Sequence, residues 1–132
     1  MNKNCTSIEQ SKMLAEILPL ESADMWWAER YAGRVENYEY IVEEKPVYYL
    51  SFTKPSEENY SQDTIKDIPC WSLAALLSVL PRIDIEKEIY SDDTYEYRVK
   101  AYIGDGYVGD WFDNPIDACY DMIIKLHEDK LL

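Results

Sequence analysis

A chain of 132 residues has the length of one domain, and a hydrophobic fraction of 47% supplies a packed core. Its 26 acidic and 13 basic residues leave a net charge of −13, a surface that repels phosphate backbones and excludes direct binding to DNA or RNA. No apolar run approaches a membrane span, the first residues hold no apolar signal core, and Cys5, Cys70 and Cys119 form no Cys-x-x-Cys, so the composition reads as a cytoplasmic protein with reduced thiols and no membrane association.

The acidity is spread evenly. Residues 1–66 hold 12 acids and 7 bases, and residues 67–132 hold 14 and 6, so there is no acidic tail. Twelve tyrosines and four tryptophans add side chains with an apolar body and a polar tip, suited to half-buried sheet faces and contact surfaces. Such a surface attracts a basic partner, and an acidic, tyrosine-rich face is also a basis for imitating nucleic acid.

The first helix begins at Thr6 or Ser7, since Thr6 with Glu9 and Ser7 with Gln10 both fit a capping box. Ile8, Met13, Leu14, Ile17 and Leu18 form its apolar stripe, and Pro19 stops it. Three strands are expected next. Residues 25–32 are aromatic-rich and broken by Gly33. Residues 36–42 place Tyr38, Tyr40 and Val42 on one face. Residues 47–53 follow the polar turn at Glu43 to Pro46. Residues 54–69 are polar and read as a long surface loop.

Residues 71–80 are the most apolar run, rich in Ala and Leu, and read as a central buried helix stopped by Pro81. Residues 83–90 put Ile83, Ile85 and Ile89 inward. Residues 94–103 alternate cleanly, with Tyr95, Tyr97, Val99, Ala101 and Ile103 on one face. Gly104-Asp105-Gly106 signals a hairpin, after which residues 107–112 pair back. Asp113 or Asn114 caps the last helix, Pro115 takes its first position, and Asp117 suits the positive end of the helix dipole. Ile116, Cys119, Ile123, Leu126 and Lys130 follow helical spacing and mark the face that packs on the sheet.

These elements predict an α+β fold in a single domain spanning 1–132: one antiparallel sheet of about five to six strands with three helices packed on one side. Leu14 to Pro19 and Leu76 to Pro81 both run from helix into a Leu-Pro stop, 62 residues apart. That echo admits two α-βββ halves, 1–53 and 70–132, joined by the polar loop 54–69.

The stretch from Pro69 to Pro81 and the stretch from Asn114 to Ile124, together with Leu18 to Met25, resemble a group of short acidic proteins encoded by phages and mobile elements of gut anaerobes. The group carries no named activity, so no catalytic or binding residue transfers. What the resemblance implies is a bacterial or phage origin, a cytoplasmic location and an accessory role.

The chemistry-bearing residues give no catalytic, metal or cofactor site. Cys119 and His127 lie eight residues apart on one helix, about 12 Å along its axis, too far for a nucleophile–base pair. Cys119 instead sits on the apolar stripe as a small hydrophobe. Asp105, Asp110 and Asp113 flank a glycine-rich hairpin but do not follow a helix-flanked calcium loop. Gly104, Gly106 and Gly109 lie between strands among acids, the wrong place for a phosphate loop. Trp26 and Trp27 are adjacent on a strand and so point to opposite faces. With Tyr38 and Tyr40 they are the candidate partner contacts. The expected function is non-enzymatic protein binding through the acidic, tyrosine-rich surface. A small hydrolase using acidic residues and a self-associating structural module, a homo-oligomer joined through aromatic sheet surface, are the alternatives.

Overall fold

Ser7 starts the first helix, α1 (Ile8–Ile17), in the second of the two capping registers: its hydroxyl accepts from Gln10 N–H at 3.2 Å while its own N–H donates to Gln10 Oε1 at 3.0 Å. The computed structural model describes residues 3–52 and 66–132. After α1 and a 3₁₀ turn (Leu20–Ser22) come strands β1 (Met25–Arg30), β2 (Gly33–Glu36), β3 (Glu39–Val42), β4 (Val47–Ser51) and β5 (Lys66–Cys70). Helix α2 (Leu73–Val79), strands β6 (Ile83–Ile89), β7 (Tyr95–Ala101) and β8 (Tyr107–Val108), and helix α3 (Pro115–Glu128) complete the order.

The fold is α+β with antiparallel pairing throughout, as the alternating patterns predict. Among the described residues the strands are divided, however, among three small sheets, ordered β4-β1-β5, β2-β3 and β6-β7-β8, in place of one sheet of five or six. β1 is filled on one edge by β4 and on the other by β5, which leaves no edge of β1 for the later strands. The helices divide in the same way: α1 lies against β5, α3 lies across β7, and α2 packs on α3.

Two expected elements change. Residues 36–42 are not one strand. Asn37 (φ 53°) and Tyr38 (φ 65°) take two consecutive positive φ values and turn β2 back into β3, so Gly33 begins a strand instead of ending one. Of the expected loop 54–69, residues 66–69 belong to β5, with Pro69 opposite Trp26 on an edge strand where its missing N–H is harmless. The remainder of that loop lies outside the described residues.

The main core is built on α3. Asn114 caps it by accepting from Asp117 N–H at 2.8 Å, and Pro115 occupies the first turn. Its inner face buries Ile116, Ala118, Cys119, Met122, Ile123 and Leu126. Each large aliphatic there contributes roughly 1.5–3 kcal/mol over leaving it exposed. Lys130 is not part of that face: it lies beyond the helix, exposed, with φ 59°. Val99 and Ala101 of β7 meet the helix, as their alternation requires. On the edge strand β6, Ile83 is half-buried, but Ile85 and Ile89 stay exposed because α3 lies over the central strand.

Trp71 is completely buried and ties the parts together. Its indole N–H donates to Ser22 Oγ at 2.9 Å, and its backbone N–H donates to Thr6 Oγ1 at 3.1 Å. α1 and α2 leave their cores alike: Leu18 N–H bonds Leu14 O and Leu80 N–H bonds Leu76 O, each pair of leucines is buried, and a proline follows. A second, smaller cluster holds Cys5, Met25 and Cys70, with Trp27 and Leu50 against it.

Candidate interaction surface

The four residues read as partner contacts separate into two places. Trp26 and Trp27 do point to opposite faces of the β4-β1-β5 sheet. Trp27 packs on the Cys5–Met25–Cys70 cluster, and its indole N–H donates to Thr6 O at 2.9 Å, so it is half-buried and structural. Trp26 lies between Ser51 and Pro69 on the other face, also half-buried. Tyr38 and Tyr40 belong to the separate β2–β3 hairpin, with Tyr38 fully exposed in its turn.

That hairpin is sharply two-faced. The register Gly33↔Val42 and Val35↔Tyr40 puts these four residues on one face, and the opposite face carries Arg34, Glu36, Glu39 and Ile41. Arg34 holds the polar face together, donating to Glu36 at 3.2 Å and to Glu43. On the apolar face the Tyr40 ring lies directly over Gly33, in space that any larger residue would need. Tyr40 is nevertheless 70% exposed, Val35 74% and Val42 46%. An isolated two-stranded hairpin is marginally stable in water. This one rests on its turn and the Val35–Tyr40 cross-strand pair, and its apolar face has no cover among the described residues. Sequence reading found both tyrosines but missed Val35 and the hairpin itself. The available signal was Asn37, a residue that tolerates the left-handed conformation.

The exposed residues of the β6–β7 hairpin are better shielded. The Lys87 ammonium sits 4.1 Å from the centre of the Tyr95 ring and 5.8 Å from that of Tyr97, so its stem shields part of the apolar surface. On the wet face of that sheet Glu86 accepts from Lys100 at 2.6 Å and Arg98 at 2.7 Å, and these contacts hold its carboxyl below the usual range. Arg98 also stacks on Trp111, 4.6 Å from the ring centre.

Among the described residues the acids form no converging set. An open groove of about 370 Å³ is lined by Gln10, Phe112, Asp117, Tyr120, Asp121 and Ile124, but both its carboxylates are occupied. Asp117 accepts from Lys3 at 2.6 Å, Gln10 at 2.8 Å and Asn114 at 2.6 Å. Burial pushes its carboxyl up, and these donors outweigh that and hold it below the ordinary range. Asp121 pairs with Lys125 at 2.6 Å, and Lys125 also reaches Asp110 at 3.1 Å. Asp113 accepts from Asn114, and Asp105 stays exposed in the turn. Among the described residues no three metal-ligating side chains come together. Gly104 and Gly106 take positive φ in the hairpin turn, while Gly109 is buried, with Val99 O and Asp121 Oδ2 close to where a side chain would begin. Cys119 is fully buried, and burial pushes its thiol up to about 12, which makes it a core residue. His127 is exposed, with Nδ1 2.9 Å from Leu132 O.

Comparison with known proteins finds no matching family model, no matching curated protein and no matching solved structure. Among the described residues no helix is long and apolar enough to cross a membrane.

Proposed function

We propose that this chain is a protein-binding accessory factor that docks a basic protein partner through the apolar face of the β2–β3 hairpin. One observation carries the reading: Val35, Tyr40 and Val42 share an exposed face, Tyr38 stands free at the turn beside them, and the opposite face is occupied by ion-paired charges. A face of this kind has the composition of an interface centre, with aromatic anchors and aliphatic neighbours, set in a molecule of net charge −13. The charge selects and steers a basic surface, and the tyrosines supply rigid contact area at low entropic cost. An accessory role in a phage or mobile element is the setting that the sequence resemblance implies. Imitation of nucleic acid is the stricter form, in which the partner is itself a DNA-binding protein.

A photo-crosslinking residue placed at Tyr38, with a second at exposed Glu9 as control, identifies what touches the hairpin. The reading expects a basic protein crosslinked from position 38 and not from position 9. The purified partner should then bind the Val35→Ser/Tyr40→Ser double variant at least about tenfold more weakly, since exposed aromatic anchors carry ~1.4 kcal/mol or more at an interface. Competition by duplex DNA marks the stricter form. Equal binding by the double variant overturns the proposal, and crosslinks only between copies of this chain transfer it to the self-association alternative.

A further inference from the structure

Cys5 and Cys70 are 65 positions apart in sequence, and no spacing rule connects them. The fold brings them together in the small cluster with Met25, where Cys5 is 4% and Cys70 0% exposed. The adjoining backbone is locked in the same place: Thr6 N–H donates to Trp71 O at 2.9 Å, and Trp71 N–H donates back to Thr6 Oγ1. Residues 5–6 are thereby held along the end of β5. Cys119 belongs to the other cluster, with α3.

We propose that Cys5 and Cys70 are a disulfide-forming pair that fastens the N-terminal segment to the end of β5 when the protein meets a low-molecular-weight disulfide. The two thiols act on one another, Cys70 lowering Cys5 and Cys5 raising Cys70, as neighbouring groups in one buried cluster do. Burial opposes the shift at Cys5, Lys3 assists it and Asp24 opposes it. Asn4, next to Cys5, is exposed, whereas Cys70 is paired with Met25 within the sheet, so local opening brings Cys5 to solvent before Cys70.

The Cys5 thiolate attacks one sulfur of the incoming disulfide, forming a mixed disulfide and releasing one thiolate. Cys70 then loses its proton and attacks Cys5 Sγ, releasing the second thiolate. Both leaving groups take up a proton. The protein gives up two electrons and two protons, and the small disulfide becomes two thiols. Closing requires the two sulfurs of this one buried cluster to approach to the ~2.05 Å of an S–S bond.

The test uses the full chain, reduced, freed of reductant, and equilibrated in native buffer with mixtures of reduced and oxidised glutathione. Acid quenching, alkylation and digestion without reduction then map the sulfurs by mass spectrometry. The expected result is an intact mass lower by two hydrogens, one linked peptide pair containing Cys5 and Cys70, and Cys119 alkylated. In denaturing urea the shorter loop between Cys70 and Cys119 should compete for the same links. A glutathione adduct that persists on Cys5 or Cys70, a native link to Cys119, three free thiols in the most oxidising mixture, or the same distribution of links in buffer and in urea overturns the proposal.

Discussion

The β7 strand and the β2–β3 hairpin use the same alternation of apolar and polar residues and come to opposite ends. Val99 and Ala101 of β7 disappear under α3, whereas Val35, Tyr40 and Val42 of the hairpin remain in solvent. The polar faces are alike too: Arg98 sits against Glu86 in one, Arg34 against Glu36 and Glu43 in the other. Periodicity therefore fixes which residues share a face, and the presence of a covering helix decides whether that face holds the fold together or stays available for contact.

The comparison breaks first if the two faces respond alike to truncation. Leu126→Ala removes a completely buried side chain from α3 and should cost about 2–5 kcal/mol. Val35→Ser, on the uncovered hairpin, should change stability by no more than ~0.5 kcal/mol. Urea denaturation followed by Trp fluorescence and by far-UV circular dichroism measures both. A hairpin variant as damaging as the core variant would mean that the hairpin face is covered.

Legibility in the sequence follows the same division. α1, α2 and α3 were readable because their caps and proline stops are local: Ser7 with Gln10, Pro19, Pro81, Asn114 with Pro115. The β7 face was readable because strict alternation survives without knowledge of its neighbours. The division into three sheets was not, since it depends on β5 returning to β1 across a long separation. The β2–β3 hairpin was missed because its turn is Asn37-Tyr38, where the usual second residue is glycine. Tyr40 was singled out for its type; its partners Val35 and Gly33 became visible only once the register was known. The shared cluster of Cys5 and Cys70 and the grip of Lys3 on Asp117 are tertiary and leave no local trace.

A smaller effect is expected at the start of α3, where the covered face is anchored. The Asp117 carboxyl is held below the ordinary aspartate value of ~3.9, burial opposing and the donors Lys3, Gln10 and Asn114 prevailing. A carboxylate whose value is lowered by folding contributes stability that is present above the unfolded value and is lost as pH falls through the folded one. Asp117→Asn should therefore cost about 0.5–1 kcal/mol at neutral pH through the lost ion pair and helix-dipole contact. The gap between variant and parent should close as pH falls below ~4. Denaturation midpoints across that range measure it. A gap independent of pH would remove the carboxylate charge from the account.

The finest test is Gly33→Ala. A methyl group at position 33 would occupy the space of the Tyr40 ring, meeting its hydroxyl end first. The ring is the mobile partner in that conflict, being the far end of a side chain on an exposed face, and it should swing aside without unfolding the strand pair. The stability change should be no more than ~0.5 kcal/mol. The Tyr40 ring protons should lose their nuclear Overhauser contacts to residue 33, while Val35 and Val42 keep their cross-strand contacts. If binding to the hairpin partner weakens under these conditions, the position of the Tyr40 ring is what the partner reads. If the cross-strand contacts vanish with the ring contact, tyrosine on glycine is holding the hairpin closed, and the stability of the contact face rests on the same side chain as its recognition.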